Sequence, residues 1–317
     1  ILRSTGTIVK GPVAINGLSA TNNAFNLVGN PFQAQVDMSK VVGASLNLKP
    51  IYYIWDPTLG GTPVVGQSGG RGAYVSVNTV TGVKSNALSQ VSIFLQPYQA
   101  FFVQTNNLNS VPVLTFEESF KAVSAVQTNT FKFSNEESTS SNQYISLTLF
   151  NQVAFDTNDT PSDGLRIDFS TNANNDVDEF DAVKFTNSDE NISRNVGESL
   201  LSMETRNLPE NGDLLPLNIT QYRREAYTMQ IDVSNFENHD VYLKDFYTNK
   251  DVLLEKDAIS TYSFTVNDAN PASKNADRFA LSIQEDALGV IDPKFDNVYK
   301  LYPNPSNGAK INLSANS

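Results

Sequence analysis

The densest group of oxygen-bearing side chains lies in residues 172–181, and its chemistry would be the binding of a hard cation. Asparagine or aspartate stands at every second position from residue 172 to residue 178, and a further aspartate follows at 181. Ca²⁺ takes about six to eight oxygen ligands, and it would relieve the repulsion between carboxylates packed this closely. The pattern suggests a calcium site with these candidate ligands: Asn172, Asn174, Asp176, Asp178 and Asp181.

The same run does not have the sequence of an EF-hand loop. Val177 stands where that loop needs glycine, and Val183 stands where it needs a bidentate glutamate. The simpler interpretation is a solvated acidic loop between two strands, stabilised by Asx-turns. Both interpretations stay open, and melting in Ca²⁺ against melting in chelator would distinguish them.

A second candidate site is an aromatic cluster that could stack on sugar rings. In the predicted strand Ile51–Trp55, alternation places Tyr52 on one face and both Tyr53 and Trp55 on the other. Tyr53 and Trp55 are therefore the candidate glycan ligands. Such clusters also form ordinary sandwich cores, which is the competing interpretation. The cluster is completed by Tyr74 and Tyr98.

The residues needed for nucleophilic or metal-dependent catalysis are scarce. The chain has no cysteine and one histidine, His239, which we expect in a polar turn before a strand. The Gly66–Gly72 loop lacks the Gly-Lys-Ser/Thr ending of a phosphate-binding loop. Carboxylates are abundant, but nothing singles out one pair for glycoside hydrolysis. We therefore predict that this chain is not itself an enzyme.

Charge divides the chain into two parts. Residues 1–132 carry eight basic and four acidic side chains, whereas residues 133–317 carry fourteen basic and thirty acidic ones. Such a shift is typical of a domain boundary, and the acidic second part argues against nucleic-acid binding. No apolar run approaches the ~18–20 residues of a membrane helix. Because the chain begins at Ile1 inside a predicted strand (Ile1–Val9), we expect it to be a fragment of a longer protein.

Short segments of alternating polar and apolar residues predict an all-β fold. Turn-forming clusters separate them, and the only predicted helix is residues 37–42, with Asp37 as its cap. The pattern favours two β-sandwich modules (jelly-roll or immunoglobulin-like), at residues 1–132 and 133–285, then a linker at 286–299 and a terminal element at 300–317. The clearest strands lie around residues 25–28, 51–55, 73–77, 91–95, 100–103, 113–116, 130–133, 145–149, 165–169, 227–233, 262–266 and 279–283.

The terminal element has a distinctive sequence. Pro303 and Pro305 stiffen the backbone, Asn307-Gly308 favours a tight turn, and alternation from Ile311 predicts a strand. The whole phrase resembles the opening of the type A C-terminal sorting domain of the Bacteroidota type IX secretion system. By that resemblance, the sorting-motif residues are Leu301, Tyr302, Pro303, Asn304, Pro305, Gly308, Ile311 and Leu313. A complete domain of this kind has several further strands, so we expect only its first strand here.

Two upstream stretches also resemble modules that precede such sorting domains. The first stretch is carried by Asn26–Phe32, Ile51–Asp56 and Leu95–Val103. The second is carried by five phrases in the expected order: Asp163–Ile167, Phe180–Lys184, Ala226–Thr228, Val241–Asp245 and Asp277–Phe279.

These resemblances imply a non-catalytic C-terminal portion of a large secreted cell-surface protein, with stalk or adhesion modules and an export signal. The implied partners are the type IX translocon, its outer-membrane barrel substrate carrier, and a sortase that cuts in the connector. Surface glycans are a further candidate partner. Two alternatives stay open: accessory modules of a secreted hydrolase whose catalytic domain lies upstream, or a carbohydrate-binding module.

Overall fold

A computed structural model describes residues 6–66, 68–106, 110–122 and 143–286, together with the backbone of two strands at 299–303 and 311–315. Strands dominate it, so the predicted all-β class is confirmed. We call residues 6–122 the first unit and residues 143–286 the second unit. The predicted boundary near residue 133 and the connector at 287–298 lie outside the described residues.

The first unit is built on a four-stranded antiparallel sheet with the order β2-β7-β4-β5. Two small pairs, β1 with β8 and β3 with β6, cover one face of it together with a short helix. Tyr52 and Ile54 lie in the resulting core. The elements are β1 Val13–Ile15, β2 Phe25–Gly29, β3 Val36–Asp37, α1 Met38–Gly43, β4 Leu48–Asp56, β5 Ala73–Asn78, β6 Phe94–Leu95, β7 Ala100–Thr105, β8 Leu114–Phe116 and a 3₁₀ turn at Glu118–Phe120.

Most local predictions for this unit are confirmed. The helix begins after Asp37, whose carboxylate accepts a hydrogen bond from the Ser39 amide at 3.0 Å, as expected of a cap. The predicted strand at 91–95 is wrong for its first three residues. There the Ser89 and Ser92 hydroxyl oxygens accept backbone amides and so compete with strand pairing. Residues 6–9 of the predicted first strand are not in a strand either, and the first strand within the described residues is β1.

The second unit forms one curled sheet with the path β17-β16-β19-β14-β12-β13-β10-β9-β15-β18, and β11 pairs with β13 outside this path. The two ends of the path, β17 and β18, are consecutive in sequence. The elements are β9 Gln143–Asn151, α2 Gln152–Asp156, β10 Asp163–Phe169, β11 Ala182–Val183, β12 Asn191–Val196, β13 Ser199–Arg206, β14 Leu214–Thr220, β15 Ala226–Ser234, β16 His239–Asp245, β17 Lys250–Leu253, β18 Ala258–Thr265, a 3₁₀ turn at Pro271–Lys274 and β19 Phe279–Glu285.

The apolar rows predicted from alternation form the core of the second unit. Phe169 and Phe264, which belong to two of these rows, are 3% and 5% exposed. Rows from opposite stretches of the curled sheet meet there, since the core combines β9, β10 and β15 with β14, β16 and β19. Its members include Ile145, Leu147, Leu149, Leu165, Ile167, Leu215, Leu217, Ile219, Tyr227, Met229, Ile231, Val233, Val241, Leu243, Phe279, Leu281 and Ile283.

One buried ion pair closes an end of this core. The Arg278 guanidinium donates to both carboxylate oxygens of Asp245, at 2.9 and 2.7 Å, and Tyr262 donates to the same carboxylate at 2.8 Å. The guanidinium also lies 5.1 Å from the ring centre of Phe264. Burial alone would raise the pKa of Asp245, but the hydrogen bonds from Arg278 and Tyr262 outweigh it and lower the pKa to about 2. The pair is therefore ionised at neutral pH.

The last two strands, β20 (Tyr299–Pro303) and β21 (Ile311–Ala315), pair only with each other among the described strands. They are antiparallel, with Leu301 opposite Leu313 and Pro303 opposite Ile311. The strand predicted from Ile311 is confirmed. The stiff lead-in expected before the turn is itself a strand.

Candidate functional site

The acidic loop proposed as a calcium site holds its oxygens in turns of its own backbone. Asn174 accepts from the Asp176 amide at 2.8 Å, and Asp178 accepts from the Phe180 amide at 2.8 Å. Asp181 accepts from the amides of Asp178 and Thr205. The contacts of Asn174 and Asp178 are the Asx-turns of the simpler interpretation, whereas Asp181 also bonds to Thr205 of β13. In the described part of the chain, no three or more His, Asp or Glu side chains are grouped to hold a metal ion. Calcium binding stays a prediction.

A cation from the first unit partly offsets the charge of this loop. Lys49 of β4 is buried, and its ammonium donates to the Asp178 carbonyl at 3.0 Å. Burial lowers the pKa of Lys49, while Asp181, Asp178 and Glu179 act in the opposite direction. Burial also raises the pKa of Asp181 to about 6 despite the two amides that donate to it. The loop is thus part of the contact between the units.

The aromatic cluster is divided as alternation predicted, but Tyr53 is not available to a sugar. Tyr52 lies in the core of the first unit, and Tyr53 is fully buried on the opposite face. Stacking on a sugar needs an exposed ring face, so the assignment of Tyr53 as a glycan ligand is corrected. Trp55 is half-buried and packs edge-on against Tyr74 at 4.9 Å. Tyr98 is exposed in a turn with a φ of 60°.

Tyr53 is buried because a phenylalanine of the second unit covers it. The Phe185 ring lies 4.3 to 6.2 Å, centre to centre, from four rings of the first unit: Phe25, Tyr53, Tyr74 and Phe102. Aromatic pairs at such distances contribute about 0.5–1.5 kcal/mol each beyond the area they bury. We call this contact the junction. Its apolar residues also include Ile51, Val83, Ala182 and Met203.

Polar groups surround the aromatic part of the junction. The Arg71 guanidinium of the first unit donates to the buried Asp189 carboxylate at 3.0 Å, and Arg223 approaches the same carboxylate at 3.3 Å. The hydroxyls of Ser76 and Ser202 lie 2.7 Å apart, one from each unit. The units therefore meet through an extended, specific surface.

The backbones of the two units also touch directly. A Cβ atom placed on Gly164, the second residue of β10, would lie 2.7 Å from the Asn86 Cα. Elsewhere in the contact, the Gly60 amide donates to the Pro161 carbonyl at 2.7 Å. Nothing in the strand pattern signals these contacts, since alternation reports which face is buried but not what buries it.

The remaining sequence candidates have clear positions. His239, expected in a turn, is instead the first residue of β16, opposite Glu285. Of the sorting-motif residues, Leu301, Tyr302 and Pro303 lie in β20, and Ile311 and Leu313 lie in β21. The motif residues Asn304, Pro305 and Gly308 lie outside the described residues. No helix in the described part of the chain has the length and apolarity to cross a bilayer.

Comparison with known proteins places the chain in one family. Residues 4–282 match the family described as Domain of unknown function (DUF8693). The match covers most of the chain, so the chain belongs to this family. No curated protein and no solved structure matches it. The matched region contains the first unit and all but the last four residues of the second unit, and it ends before the terminal hairpin.

Proposed function

We propose that this chain is a non-catalytic, surface-exposed portion of a secreted protein, in which the terminal hairpin is the start of a type IX export signal. The observation that carries the proposal is the separateness of that hairpin. Among the strands that the structure describes, those at 299–303 and 311–315 pair with each other and with none of the preceding sheet. They also lie outside the region that matches the family. An export signal has to be readable independently of its cargo, and a separate hairpin meets that requirement.

The two units support the role of stalk or adhesion modules. Their contact combines aromatic packing around Phe185, ion pairs around Asp189 and a direct backbone approach at Gly164. Such a contact resists relative motion of the units, which suits a chain that holds other parts of a protein away from a surface. The two cores supply the stability that disulfides give to many exported proteins, since the chain has no cysteine.

The implied partners are the type IX translocon, the outer-membrane barrel that carries its substrates, and a sortase. The sortase would cut in the connector, residues 286–299, which joins the second unit to the hairpin. Mass spectrometry of the mature protein tests this point, because a cut there leaves a C-terminus within these residues. A mature protein that retains the sorting motif would contradict it.

Secretion in a bacterium with a functional type IX system tests the export claim. The gene is expressed with its natural flanking sequence, and the variant Pro303→Ala with Gly308→Ala is compared with the unchanged protein. We expect the variant to accumulate in the periplasm and the unchanged protein to reach the surface. The matched control is Pro271→Ala with Gly212→Ala, which changes the same residue types within the second unit.

Two results would contradict the export signal. One is surface delivery of the motif variant at the level of the unchanged protein. The other is surface delivery of the unchanged protein in a strain that lacks the translocon. Thermal melting of each variant separates a defect in export from a defect in folding.

A further inference from the structure

An open cleft of about 510 Å³ lies where the two units meet, and none of the apolar residues of the junction line it. Its walls come from the loop after β4 in the first unit and from α2 and the loop that follows it in the second unit. This volume is within the range of small-molecule sites, about 300–1,000 Å³. The lining groups used below belong to Thr62, Val64, Val153, Asp159 and Arg224.

Arg224 differs from the other arginines of the described chain. Each of the others has a carboxylate within ion-pair distance, whereas Arg224 has none. One terminal nitrogen of Arg224 donates to the backbone carbonyls of Ser68 and Arg223. The other faces Gly69, where a Cβ atom would lie 3.4 Å away. The guanidinium is thus held in place by carbonyl groups while its charge stays unpaired.

Asp159 supplies a fixed acceptor in the same cleft. Its carboxylate accepts hydrogen bonds from the Thr62 amide at 2.7 Å, the Thr62 hydroxyl at 2.6 Å and the Thr160 amide at 2.7 Å. Burial would raise its pKa, but these hydrogen bonds outweigh burial and lower it. Asp159 therefore stays ionised. Because a carboxylate has about four lone-pair sites, it can still accept from a ligand hydroxyl.

The rest of the cleft combines polar groups with small apolar ones. Val64 and Val153 are 48% and 66% exposed, and both line it. No aromatic ring lines it, so planar or strongly apolar ligands have nothing to stack on. Hydroxyl-rich ligands with exposed C–H groups fit such a surface, because they present donors, acceptors and small apolar patches together.

We propose that this cleft binds a saccharide unit that carries a carboxylate. Arg224 pairs with the ligand carboxylate through charge-assisted hydrogen bonds, and Asp159 accepts hydrogen bonds from ring hydroxyls. Val64 and Val153 contact the C–H groups of the ring. The site is distinct from the aromatic cluster around Tyr53, and it does not depend on the export signal.

Ligand titration of the intact chain, followed by NMR chemical shifts, tests the proposal. The probe is sodium glucuronate, and the comparison ligands are glucose and sodium acetate, which carry only the ring or only the carboxylate. We expect glucuronate to bind with a dissociation constant on the order of 1 mM, and each comparison ligand to bind at least about tenfold more weakly. Glucose binding equal to glucuronate, acetate binding equal to glucuronate, or no glucuronate binding at about 20 mM would each overturn the proposal.

Two variants locate the site. Arg224→Gln should weaken glucuronate binding at least about tenfold, because it removes the charge that pairs with the carboxylate. Val153→Asp should also weaken it, since it places a negative charge at the mouth of the cleft without removing a hydrogen bond. The matched control is Lys250→Gln, which removes an exposed positive charge on β17 and should leave binding unchanged. Unchanged glucuronate binding in either cleft variant would overturn the proposal, and thermal melting checks that the variants are folded.

Discussion

The core of the second unit and the junction between the units are both densely packed, but their chemistry differs. The core is made of aliphatic and aromatic rows from facing strands, closed at one end by the Asp245–Arg278 pair. The junction is made of four aromatic rings packed around a fifth, Phe185, and it is surrounded by ion pairs and hydroxyl contacts. The comparison teaches that burial of an alternating row makes a unit, whereas joining two finished units takes both the aromatic rings and the polar groups that each one still presents.

The largest effect should come from removing a ring from the core. Phe264→Ala is expected to lower the free energy of unfolding by about 3–5 kcal/mol, because it leaves a cavity among buried rings. Ile259→Ala, on the same strand but exposed, is the control and should change stability by less than about 0.5 kcal/mol. Chemical denaturation measures both. A loss below about 1 kcal/mol for Phe264→Ala would mean that the ring is not packed as described.

The second largest loss of stability should come from breaking the buried ion pair between Asp245 and Arg278. Asp245→Asn is expected to cost about 3 kcal/mol, because the Arg278 charge is left buried without its partner. The folded pKa of Asp245, about 2, lies below the ordinary value for aspartate. Its ionised form therefore stabilises the fold above about pH 4, and that contribution is lost as pH falls toward 2. Unfolding at a series of pH values measures it. An unchanged acid dependence in Asp245→Asn would contradict this account.

Removing Phe185, the central ring of the junction, should cost less stability than either change in the core. Phe185→Ala is expected to cost about 2–3 kcal/mol, since the ring is only half-buried but contacts four others. Differential scanning calorimetry should also show whether the two units still melt together. Phe246→Ala, an exposed ring in the second unit, is the control. Equal losses in the two variants would show that the junction adds nothing to stability.

Protonation of Asp181, in the loop that contacts the first unit, should raise stability, whereas protonation of Asp245 in the core lowers it. The pKa of Asp181 is raised by burial to about 6, so the folded state takes up a proton there before the unfolded state does. Stability should therefore rise as pH falls from 7 to 5, by about 1 kcal/mol from this group. Asp181→Asn should remove that rise while leaving the loss at lower pH that depends on Asp245. If the stability of the unchanged protein falls steadily as the pH is lowered from 7, this account is wrong.

Binding of calcium should change the stability of the fold least. A site with a dissociation constant of about 0.1–1 mM, typical of extracellular modules, would stabilise the fold by about 1 kcal/mol at millimolar Ca²⁺. Lys49→Met should enlarge the effect, because it removes the cation that now faces the acidic loop. Melting in Ca²⁺ against melting in chelator is the measurement. Identical melting temperatures for both proteins would rule out the calcium hypothesis.

Sequence reasoning recovered the parts of the fold that depend on local patterns. The division of β4 into two faces and the burial of the row that holds Phe169 follow from alternation, and the helix after Asp37 follows from capping chemistry. Strand order, the burial of Tyr53 by Phe185 and the cleft beside Arg224 depend on contacts between residues far apart in sequence. No local pattern records such contacts, so the structure was needed to find them.

Gly164 has a consequence for how the protein would carry a mechanical load. Its backbone pairs within the sheet, opposite Thr148, while its missing side chain leaves room for the backbone of Asn86. The contact is steric, so it carries a force that presses the units together and passes it to β10, which is hydrogen-bonded to β9 on one side and to β13 on the other. A force that pulls the units apart is opposed instead by side-chain contacts such as the Arg71–Asp189 ion pair and the rings around Phe185.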